Sequence, residues 1–508
     1  MIPEAGDIYC VYVERLQRYA AAQITHIKPP ESPKEKPLAA LLELDWLGEK
    51  LPDERELREM KPLICNYFFW DDQLDHSYVE YSVPIGYTKV GNLPPLVTEE
   101  VRSYGTWHVG GSVGNQRQWD EIPQERRQRF KAAAQDRTKV EVGGRQLSLS
   151  TSTVHEDLLL ELSDVSELEK LPCLTRIHTD TLSDALLAFI AGNPIMTELR
   201  VHRTDQPELD FGGCRLTNLS IQTDGLKRLK LNREMKQLIL TGSSSSELHI
   251  SAYDDGRWLT VHDKAKLPGF AGLDQLGGMN LTEITELDVP SITRRFPAMQ
   301  SLRLWGRPGL LTGLERLSEL SELRSFSTND LFGFTGEQFP DPDQLPHLEW
   351  LWLSSLPAEA ALSIRKRYKK RAAEGLDLSI TKARKPEWLA ENLNNPFRDW
   401  DGREHISAAN ARKAAEVYKK TLSALTNLAK RKETGDFSSA VIQAKVEELV
   451  RVYTVAFNKM DRRSGFIETV EREEIYVVLV ELLQSFNDSG GEADMDAMLA
   501  LFDSLREY

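Results

Sequence analysis

Ten short motifs between Leu174 and Ile380 share one form, a leucine, one variable residue and a second aliphatic residue: Leu199-Arg200-Val201, Leu219-Ser220-Ile221, Leu229-Lys230-Leu231, Leu238-Ile239-Leu240, Leu248-His249-Ile250, Leu259-Thr260-Val261, Leu287-Asp288-Val289, Leu302-Arg303-Leu304, Leu351-Trp352-Leu353 and Leu378-Ser379-Ile380. This alternation predicts a β-strand with one buried face. Since one such strand cannot bury its apolar face alone, the recurrence favours a fold in which successive units share a core.

Two longer segments extend the motif to an apolar residue, two variable residues, a leucine, one variable residue and another aliphatic residue. They are Met196-Thr197-Glu198-Leu199-Arg200-Val201 and Leu348-Glu349-Trp350-Leu351-Trp352-Leu353, the second preceded by Leu345-Pro346-His347 at the same spacing. This cadence resembles the leucine-rich-repeat family, and the resemblance implies a solenoid. A mixed α/β domain with leucine-rich strands is the alternative interpretation.

The spacing of the motifs is uneven. Between Leu219 and Leu259 they recur about every ten residues, which is too close for a helix between strands. From Leu302 through Leu351 to Leu378 the spacing approaches the ordinary repeat length of roughly 20–29 residues. We therefore expect strands and turns alone at the centre of this region, with fuller repeats on each side.

Bulk properties limit the class of protein. A chain of 508 residues is too long for one ordinary core and indicates about three domains. Its composition, 41% hydrophobic and 28% charged residues, is typical of a soluble globular protein. The formal net charge of -15 argues against a general nucleic-acid binder, which needs a basic surface.

The cysteines and the first residues give further expectations. The four cysteines form no Cys-x-x-Cys pair, so neither a zinc ribbon nor a redox motif is indicated. The segment Met1 to Gly6 has neither a basic nor an apolar stretch, so we expect no secretory signal. No apolar run approaches the length of a membrane span. We expect a cytoplasmic protein with reduced thiols.

The pattern along the chain predicts an α+β multidomain protein. We expect a small N-terminal α+β domain at 1–136, a leucine-rich-repeat-like solenoid at 137–384 and a C-terminal helical bundle at 385–508. In the first domain, Asp7–Val13 reads as a strand with Ala20–Ile27 as its hairpin partner. Pro52 and Pro123 are expected to open helices, because proline suits the first helical turn.

Several short motifs in 1–136 carry a second resemblance. They are Gly6-Asp7-Ile8-Tyr9, Leu44-Asp45-Trp46, Lys61-Pro62-Leu63, Gly91-Asn92-Leu93-Pro94-Pro95-Leu96 and Ser103-Tyr104-Gly105-Thr106-Trp107, followed by a closing helix. Together they resemble immunity domains of bacterial polymorphic toxin systems, over about a quarter of the chain. The resemblance implies that the protein binds and neutralises a toxin made by the same or a related cell.

Local signals predict the elements that flank the repeats. Val140 to Leu149 reads as a β-hairpin on a Gly-Gly turn, and Ser183 is expected to cap a helix that ends at Gly192. From about Ser407 the apolar residues follow a helical period. We expect a bundle of about four helices in this last part of the chain.

The sequence contains four segments that could carry chemistry, and we expect none of them to bind a metal ion or a phosphate or to catalyse a reaction. Asp71, Asp72, Asp75 and His76 form a carboxylate-rich cluster that we interpret as a solvated loop without a metal. We interpret the glycines Gly110, Gly111 and Gly114 as an ordinary loop, because no strand-turn-helix context for a phosphate loop is visible. The serine run 243–246 is read as part of a repeat loop.

The fourth candidate is a segment that resembles a calcium loop. Between Asn458 and Glu471, the glycine and the final carboxylate of the motif are present. Met460, Arg462 and Ser464 occupy the positions that should supply oxygens, and two of these three side chains cannot coordinate calcium. We interpret the segment as a turn between helices.

The repeat strands themselves point to a binding surface. In each Leu-x-Leu strand the flanking and middle residues point away from the core. This alternation predicts an exposed face with protein-binding residues of the types that interface hot spots use: Arg200, Arg228, Lys230, Trp258, Arg303, Trp305, Trp350 and Trp352, together with His202, His249 and His262.

These observations lead to one expected function and two alternatives. We expect a non-enzymatic immunity protein that binds a protein toxin and uses no cofactor, nucleic acid or membrane. The first alternative is a repeat-based protein-interaction adaptor. The second is an enzyme whose N-terminal domain reverses a modification made by a toxin.

Overall fold

The computed structural model describes residues 2–32, 35–99, 101–242, 247–434 and 437–508. The serine run 243–246 lies outside the described residues. Contacts between residues divide the chain into two compact units, Met1–Ala383 and Arg384–Tyr508. The first unit holds mixed strands and helices with a large, mainly parallel sheet, and the second is helical.

The first part of unit one is built on a six-stranded sheet. Its elements are β1 (Asp7–Val13), β2 (Arg18–Lys28), β3 (Leu38–Gly48), α1 (Glu54–Glu59), β4 (Ile64–Cys65), β5 (Gln73–Leu74), β6 (His76–Glu80), β7 (Thr88–Asn92), β8 (Ser103–Tyr104), α2 (Gly111–Asp120) and α3 (Gln124–Gln135). The strand order is β7-β1-β2-β3-β6-β8, and β4 pairs with β5 separately. The predicted hairpin of β1 and β2 is confirmed.

Both helices expected to open on a proline begin after it. Helix α1 starts at Glu54, because Asp53 caps it and accepts hydrogen bonds from the backbone N–H groups of Arg55 and Glu56. Helix α3 starts at Gln124, and Pro123 occupies the position just before the helix. Proline therefore precedes these helices and does not form their first turn.

The glycine stretch predicted to be a loop is instead the start of helix α2. Gly110 has a left-handed backbone (φ 98°) at the position before the helix, and Gly111 and Gly114 lie within it. A distant carboxylate satisfies the first helical N–H groups: Glu43 Oε1 on β3 accepts from Gly110 N at 3.1 Å and Val113 N at 2.9 Å. The loop interpretation was wrong because this cap is 67 residues away in sequence.

This buried cap should make stability depend on pH. Glu43 is 4% exposed, and burial, reinforced by nearby Asp75, raises its pKa to about 7. Above about pH 4.5 the unfolded state loses this proton, whereas the folded state keeps it up to about pH 7. The stability that the bound proton gives to the folded state is therefore lost as the pH rises through about 7. The corresponding decrease in the free energy of unfolding is about 3 kcal/mol.

We expect Glu43→Gln to remove this loss. Between about pH 5 and pH 8, the free energy of unfolding of Glu43→Gln should fall less than that of the unsubstituted protein. Denaturant unfolding at the two pH values measures the difference, with the exposed Glu125→Gln as the control. Parallel pH profiles for all three proteins would show that Glu43 is not the group responsible.

The remainder of unit one contains two further parallel sheets and a hairpin. Its elements are β9 (Lys139–Val142), β10 (Arg145–Ser148), β11 (Thr153–Val154), α4 (Glu156–Leu159), β12 (Arg176–Thr181), α5 (Asp184–Gly192), β13 (Glu198–Arg203), β14 (Glu208–Asp210), β15 (Asn218–Gln222), β16 (Arg228–Lys230), β17 (Gln237–Thr241), β18 (His249–Ser251), β19 (Thr260–Lys264), β20 (Gly278–Asp288), α6 (Val289–Arg295), β21 (Ser301–Thr312), β22 (Ser325–Phe332), β23 (Trp350–Pro357), α7 (Ala358–Ala373) and β24 (Asp377–Arg384). The predicted hairpin on Gly143-Gly144 is confirmed as β9 and β10, and Ser183 caps α5 as predicted.

The large sheet runs β11-β12-β13-β15-β17-β19-β20-β21-β22-β23-β24, and a three-stranded sheet runs β14-β16-β18. Leu219, Leu238 and Val261 are aligned and buried in the large sheet, while Leu229 and Ile250 are aligned and buried in the small one. All five belong to one hydrophobic core. The ten-residue recurrence therefore reflects strands that alternate between two sheets around a shared core. Among the described residues of this central part no α-helix occurs, as predicted.

One predicted strand is only partly formed. Leu287 and Asp288 end β20, but Val289 begins helix α6. The residues of β20 that align with the neighbouring leucine motifs are Met279 and Leu281, which face the core in register with β19 and β21. The leucine motif at 287 therefore lies beyond a bulge in a longer strand, and its spacing alone gave the wrong register.

Unit two is helical, and its main helices share one core. The helices are α8 (Pro386–Asn392), α9 (Ala408–Glu433), α10 (Ser439–Ser464), α11 (Thr469–Asp488) and α12 (Met495–Leu505). The face predicted for the second long helix is confirmed, with Ile442, Val446, Val450, Tyr453 and Phe457 buried. Among the described residues, no helix combines the length and apolar character that a membrane-spanning helix requires.

Candidate protein-binding surface

The outward rows of the large sheet carry most of the predicted binding residues. Strand register aligns one row across nine strands: His178, Arg200, Ser220, Ile239, His262, Asn280, Arg303, Ser327 and Trp352. Two residues earlier, Ser301, Ser325 and Trp350 are aligned on the same face. Two residues later, Trp305, Asn329 and Ser354 are aligned. Because side chains alternate along a strand, these three rows all point away from the core.

The outward side of β21, β22 and β23 forms what we call the tryptophan face. It consists of Arg303, Trp305, Ser325, Ser327, Asn329, Trp350, Trp352 and Ser354. The indoles of Trp305 and Trp352 are 43% and 46% exposed, and Trp350 is partly buried. Strand β22 separates the two exposed rings, which places their strands roughly 10 Å apart. The small side chains of β22 form a shallow floor between them.

Arg303 is stacked on this face. Its guanidinium carbon lies 5.5 Å from the centre of the Trp305 ring, which is a cation–π geometry. Among the residues that the structure describes, no carboxylate is within ion-pair distance of Arg303. Burial lowers the pKa of neighbouring His262, with a further contribution from the charge of Arg303. His262 is therefore neutral at physiological pH and leaves Arg303 as the charged group here.

The two outward rows that contain Arg303, Trp350 and Trp352 carry no acidic residue on β15 to β23, although the chain has a formal net charge of -15. From β15 to β23, two complete outward rows contain no aspartate or glutamate: Asn218, Gln237, Thr260, Gly278, Ser301, Ser325 and Trp350, and Ser220, Ile239, His262, Asn280, Arg303, Ser327 and Trp352. Depletion of acidic residues together with exposed tryptophan and arginine is typical of the centre of a protein interface.

The structure does not bring all predicted binding residues onto one face. Arg228 and Lys230 lie on β16 in the three-stranded sheet, where they pair with Glu208 at 3.6 Å and Asp210 at 2.9 Å. Trp258 lies in the turn before β19, and its indole N–H donates to Asp254 Oδ2 at 3.1 Å. The expectation of a single face was wrong, because the motif is the same in both sheets and does not reveal which sheet a strand joins.

Arg200 lies on the correct face but far from the tryptophans. It lies on β13, which four strands (β15, β17, β19 and β20) separate from β21 in the large sheet. Its Nε donates to Glu198 Oε1 at 2.7 Å. His202 lies on the same strand, whereas His249 lies on β18 opposite Arg228. The compact set on the tryptophan face is therefore Arg303, Trp305, Trp350 and Trp352. The serine and asparagine floor between them was not predicted, since small polar residues carry no distinctive sequence signal.

The six-stranded region packs beside the tryptophan face and not over it. Glu14, just after β1, pairs with Arg257 at 3.5 Å and with Arg324, and Arg324 also pairs with Glu349 at 2.8 Å. Arg257, Arg324 and Glu349 each precede a strand of the large sheet. Burial raises the pKa of Glu349 against the opposing effect of Arg324. These contacts lie at the amino ends of the parallel strands, and Trp305 and Trp352 remain exposed.

The acidic cluster of the first domain is divided among separate contacts. Asp75 accepts from Ser112 Oγ at 2.5 Å, His76 Nε2 lies 2.8 Å from Thr25 Oγ1, and Asp71 accepts from Gln135. Burial lowers the pKa of His76 to about 4, so its ring is neutral at physiological pH. Within the described residues, no three His, Cys, Asp or Glu side chains are grouped as metal ligands.

The carboxylate of the calcium-like segment is already engaged. Glu471, 2% exposed, pairs with Arg403 and lies 3.1 Å from His405 Nε2. Its backbone belongs to the first turn of α11, and Gly465 ends α10 with a left-handed backbone. The segment is therefore a turn between two helices, as predicted.

No protein-family profile matches the chain, and a search of curated proteins finds no match.

Proposed function

We propose that this protein binds another protein on the tryptophan face. The observation that carries the proposal is the pair of exposed indoles, Trp305 and Trp352, on either side of a small-residue floor and beside stacked Arg303. Large exposed aromatic side chains cost little conformational entropy when they are covered and supply much apolar area. A partner with a protruding apolar side chain next to a carboxylate fits this surface, because Arg303 offers its guanidinium without a competing acidic group.

We further propose that residues 137–384 form a leucine-rich-repeat-like solenoid. The support is the ladder of parallel strands in which Leu199, Leu219 and Leu238 align in register, with one strand added to the large sheet per repeat. A repeat array of this kind presents a continuous outward surface for a partner. The tryptophan face is the part of that surface near its carboxyl-terminal end.

The partner that we propose is a bacterial protein toxin, which the protein neutralises in the cytoplasm by binding it without enzymatic action. The resemblance of 1–136 to immunity domains supports this role. The position of the six-stranded region at the amino ends of the strands is compatible with it, because the tryptophan face remains accessible. A general protein-interaction adaptor would use the same face for a different partner.

Co-expression with a candidate toxin, chosen as the product of a toxin gene adjacent to its own, tests this function. We expect the protein to restore growth, to co-purify with the toxin and to protect its target in purified form only when the two are present at equal amounts. If protection required no complex and a small amount of protein repaired an already modified target, an enzymatic function would replace the binding function. If the neighbouring toxin were neither bound nor neutralised, the adaptor function would stand in its place.

A further inference from the structure

A cavity of about 280 Å³ lies where the six-stranded region meets the large sheet. One wall is helix α2, with Asn115, Gln118 and Trp119. The opposite wall is formed by Thr197, Thr217 and Lys236, which immediately precede the neighbouring strands β13, β15 and β17. Residues of the six-stranded region and residues that precede strands of the large sheet therefore enclose one space within unit one, away from the tryptophan face.

The cavity holds an ammonium group without a carboxylate partner among the described residues. Lys236 Nζ has one hydrogen bond, a long one of 3.4 Å to Asn115 Oδ1. Burial lowers the pKa of Lys236, and the charge of nearby Arg15 lowers it further. An ammonium has three donors, and leaving two of them without a protein acceptor in a half-buried site is unfavourable. Lys236 is therefore suited to an anion from outside the chain.

The other charges near the cavity do not neutralise Lys236. Arg215 also lines the cavity, but it pairs with Glu121 at 3.0 Å. The carboxylate of Glu234 accepts from Asn232 at 3.1 Å, and the Glu234 backbone oxygen accepts from Arg15 at 2.9 Å. The charged residues that line the cavity are Arg215, Lys236 and Glu234, which leaves an excess of one positive charge.

The apolar part of the lining defines the rest of the ligand. Trp119, Phe68, Tyr67 and Ile122 contribute to the cavity beside α2. Flat aromatic walls favour a flat apolar group, and a volume of this size is near the lower limit of small-molecule sites, which is about 300 Å³. The threonine hydroxyls of Thr197 and Thr217 donate to backbone oxygens, so they offer only acceptor positions to a ligand.

We propose that this cavity is a binding site for a small organic monoanion with a flat apolar part, whose anionic group pairs with Lys236. Such a ligand would contact α2 on one side and the strand ends on the other, and would join the six-stranded region to the large sheet. Because it binds only the folded arrangement, it would raise the melting temperature of the protein. This site is independent of the tryptophan face and of the proposed partner.

Three probes of nearly the same shape and different charge test the proposal: benzoate, benzamide and benzamidine. With the full chain, ligand-observed NMR titration should show benzoate binding about tenfold or more tightly than benzamide, and benzamidine binding still more weakly. Phenyl phosphate serves as a second anion. Equal affinity for benzoate and benzamide, or binding by neither benzoate nor phenyl phosphate at millimolar concentration, would overturn the proposal.

Two substitutions locate the binding. Lys236→Met should weaken benzoate binding about tenfold or more, whereas exposed Lys227→Met should change it less than about twofold. Asn115→Asp keeps the side-chain size and places a carboxylate beside the Lys236 ammonium, so it should also abolish benzoate binding. Asn115→Asp keeps the test decisive if Lys236→Met does not fold. Benzoate binding that survives Asn115→Asp in folded protein would place the anion elsewhere.

Discussion

Replacement of Arg403 by methionine should destabilise the C-terminal helical unit by about 3 kcal/mol. Arg403 contacts two carboxylates of α11, the nearly inaccessible Glu471 and, at 2.5 Å, Glu474. Glu474 also accepts from the indole N–H of buried Trp400 at 2.8 Å. Removal of the guanidinium leaves the Glu471 charge in a site that solvent does not reach. His405 compensates only in part, so the expected effect lies at the lower end of the range for broken buried pairs.

Denaturant unfolding of the full chain, followed with a spectroscopic probe placed in unit two, measures this change in the free energy of unfolding. Arg463→Met is the matched control, because it removes an exposed arginine near the same turn and should change stability by less than about 0.5 kcal/mol. Arg403→Met combined with Glu471→Gln should recover part of the loss, since the buried charge is then gone. A double variant as unstable as Arg403→Met alone would show that lost packing, and not the unpaired charge, causes the destabilisation.

Truncation of either exposed indole should weaken partner binding by about 2 kcal/mol or more, which is roughly thirtyfold in affinity. We expect this for both Trp305→Ala and Trp352→Ala, because the two rings stand on either side of the same floor. Both rings are more than two-fifths exposed in the free protein. The melting temperature should therefore change little in either variant. Calorimetric titration with the partner and thermal unfolding of the free protein measure the two effects.

Tyr253→Ala is the control for loss of an exposed aromatic ring. Tyr253 lies before β19, away from the tryptophan face, and contacts Arg233. It should leave partner binding unchanged. A large fall in melting temperature for Trp305→Ala or Trp352→Ala would show that the rings support the fold. Unchanged binding in both would move the docking site to the six-stranded region or to the helical unit.

Except at Leu287, the sequence predicted which residues of the repeat strands face the core, because burial imposes a two-residue period on such a strand. Leu302, Leu304, Leu351 and Leu353 are buried as expected, and Trp352 between the last two points outward. The two-residue period does not indicate which strands pair with one another in a sheet. Arg228 and Arg303 therefore looked equivalent in sequence, although one lies on the three-stranded sheet and the other on the large sheet.

The features that escaped prediction depend on contacts between residues far apart in sequence. The start of α2 required Glu43, and the cavity at Lys236 required α2 to pack against the strand ends. Neither Glu43 nor Lys236 has a local pattern that indicates a partner. Helix starts with a local cap were easier to place, as Ser183 and Ser407 show, because the capping residue is adjacent to the helix.

Site-specific cross-linking tests the docking surface most directly. The four native cysteines are buried, so one cysteine introduced on the surface can carry a thiol-linked photoreactive benzophenone. Ser327→Cys is a nearly isosteric change on the floor of the tryptophan face, and Ser251→Cys is the equivalent change on the three-stranded sheet. In complex with the neutralised toxin, irradiation should cross-link the Ser327→Cys protein to the toxin and leave the Ser251→Cys protein uncross-linked. Cross-linking from Ser251→Cys alone, or from neither variant in an intact complex, would contradict docking on the tryptophan face.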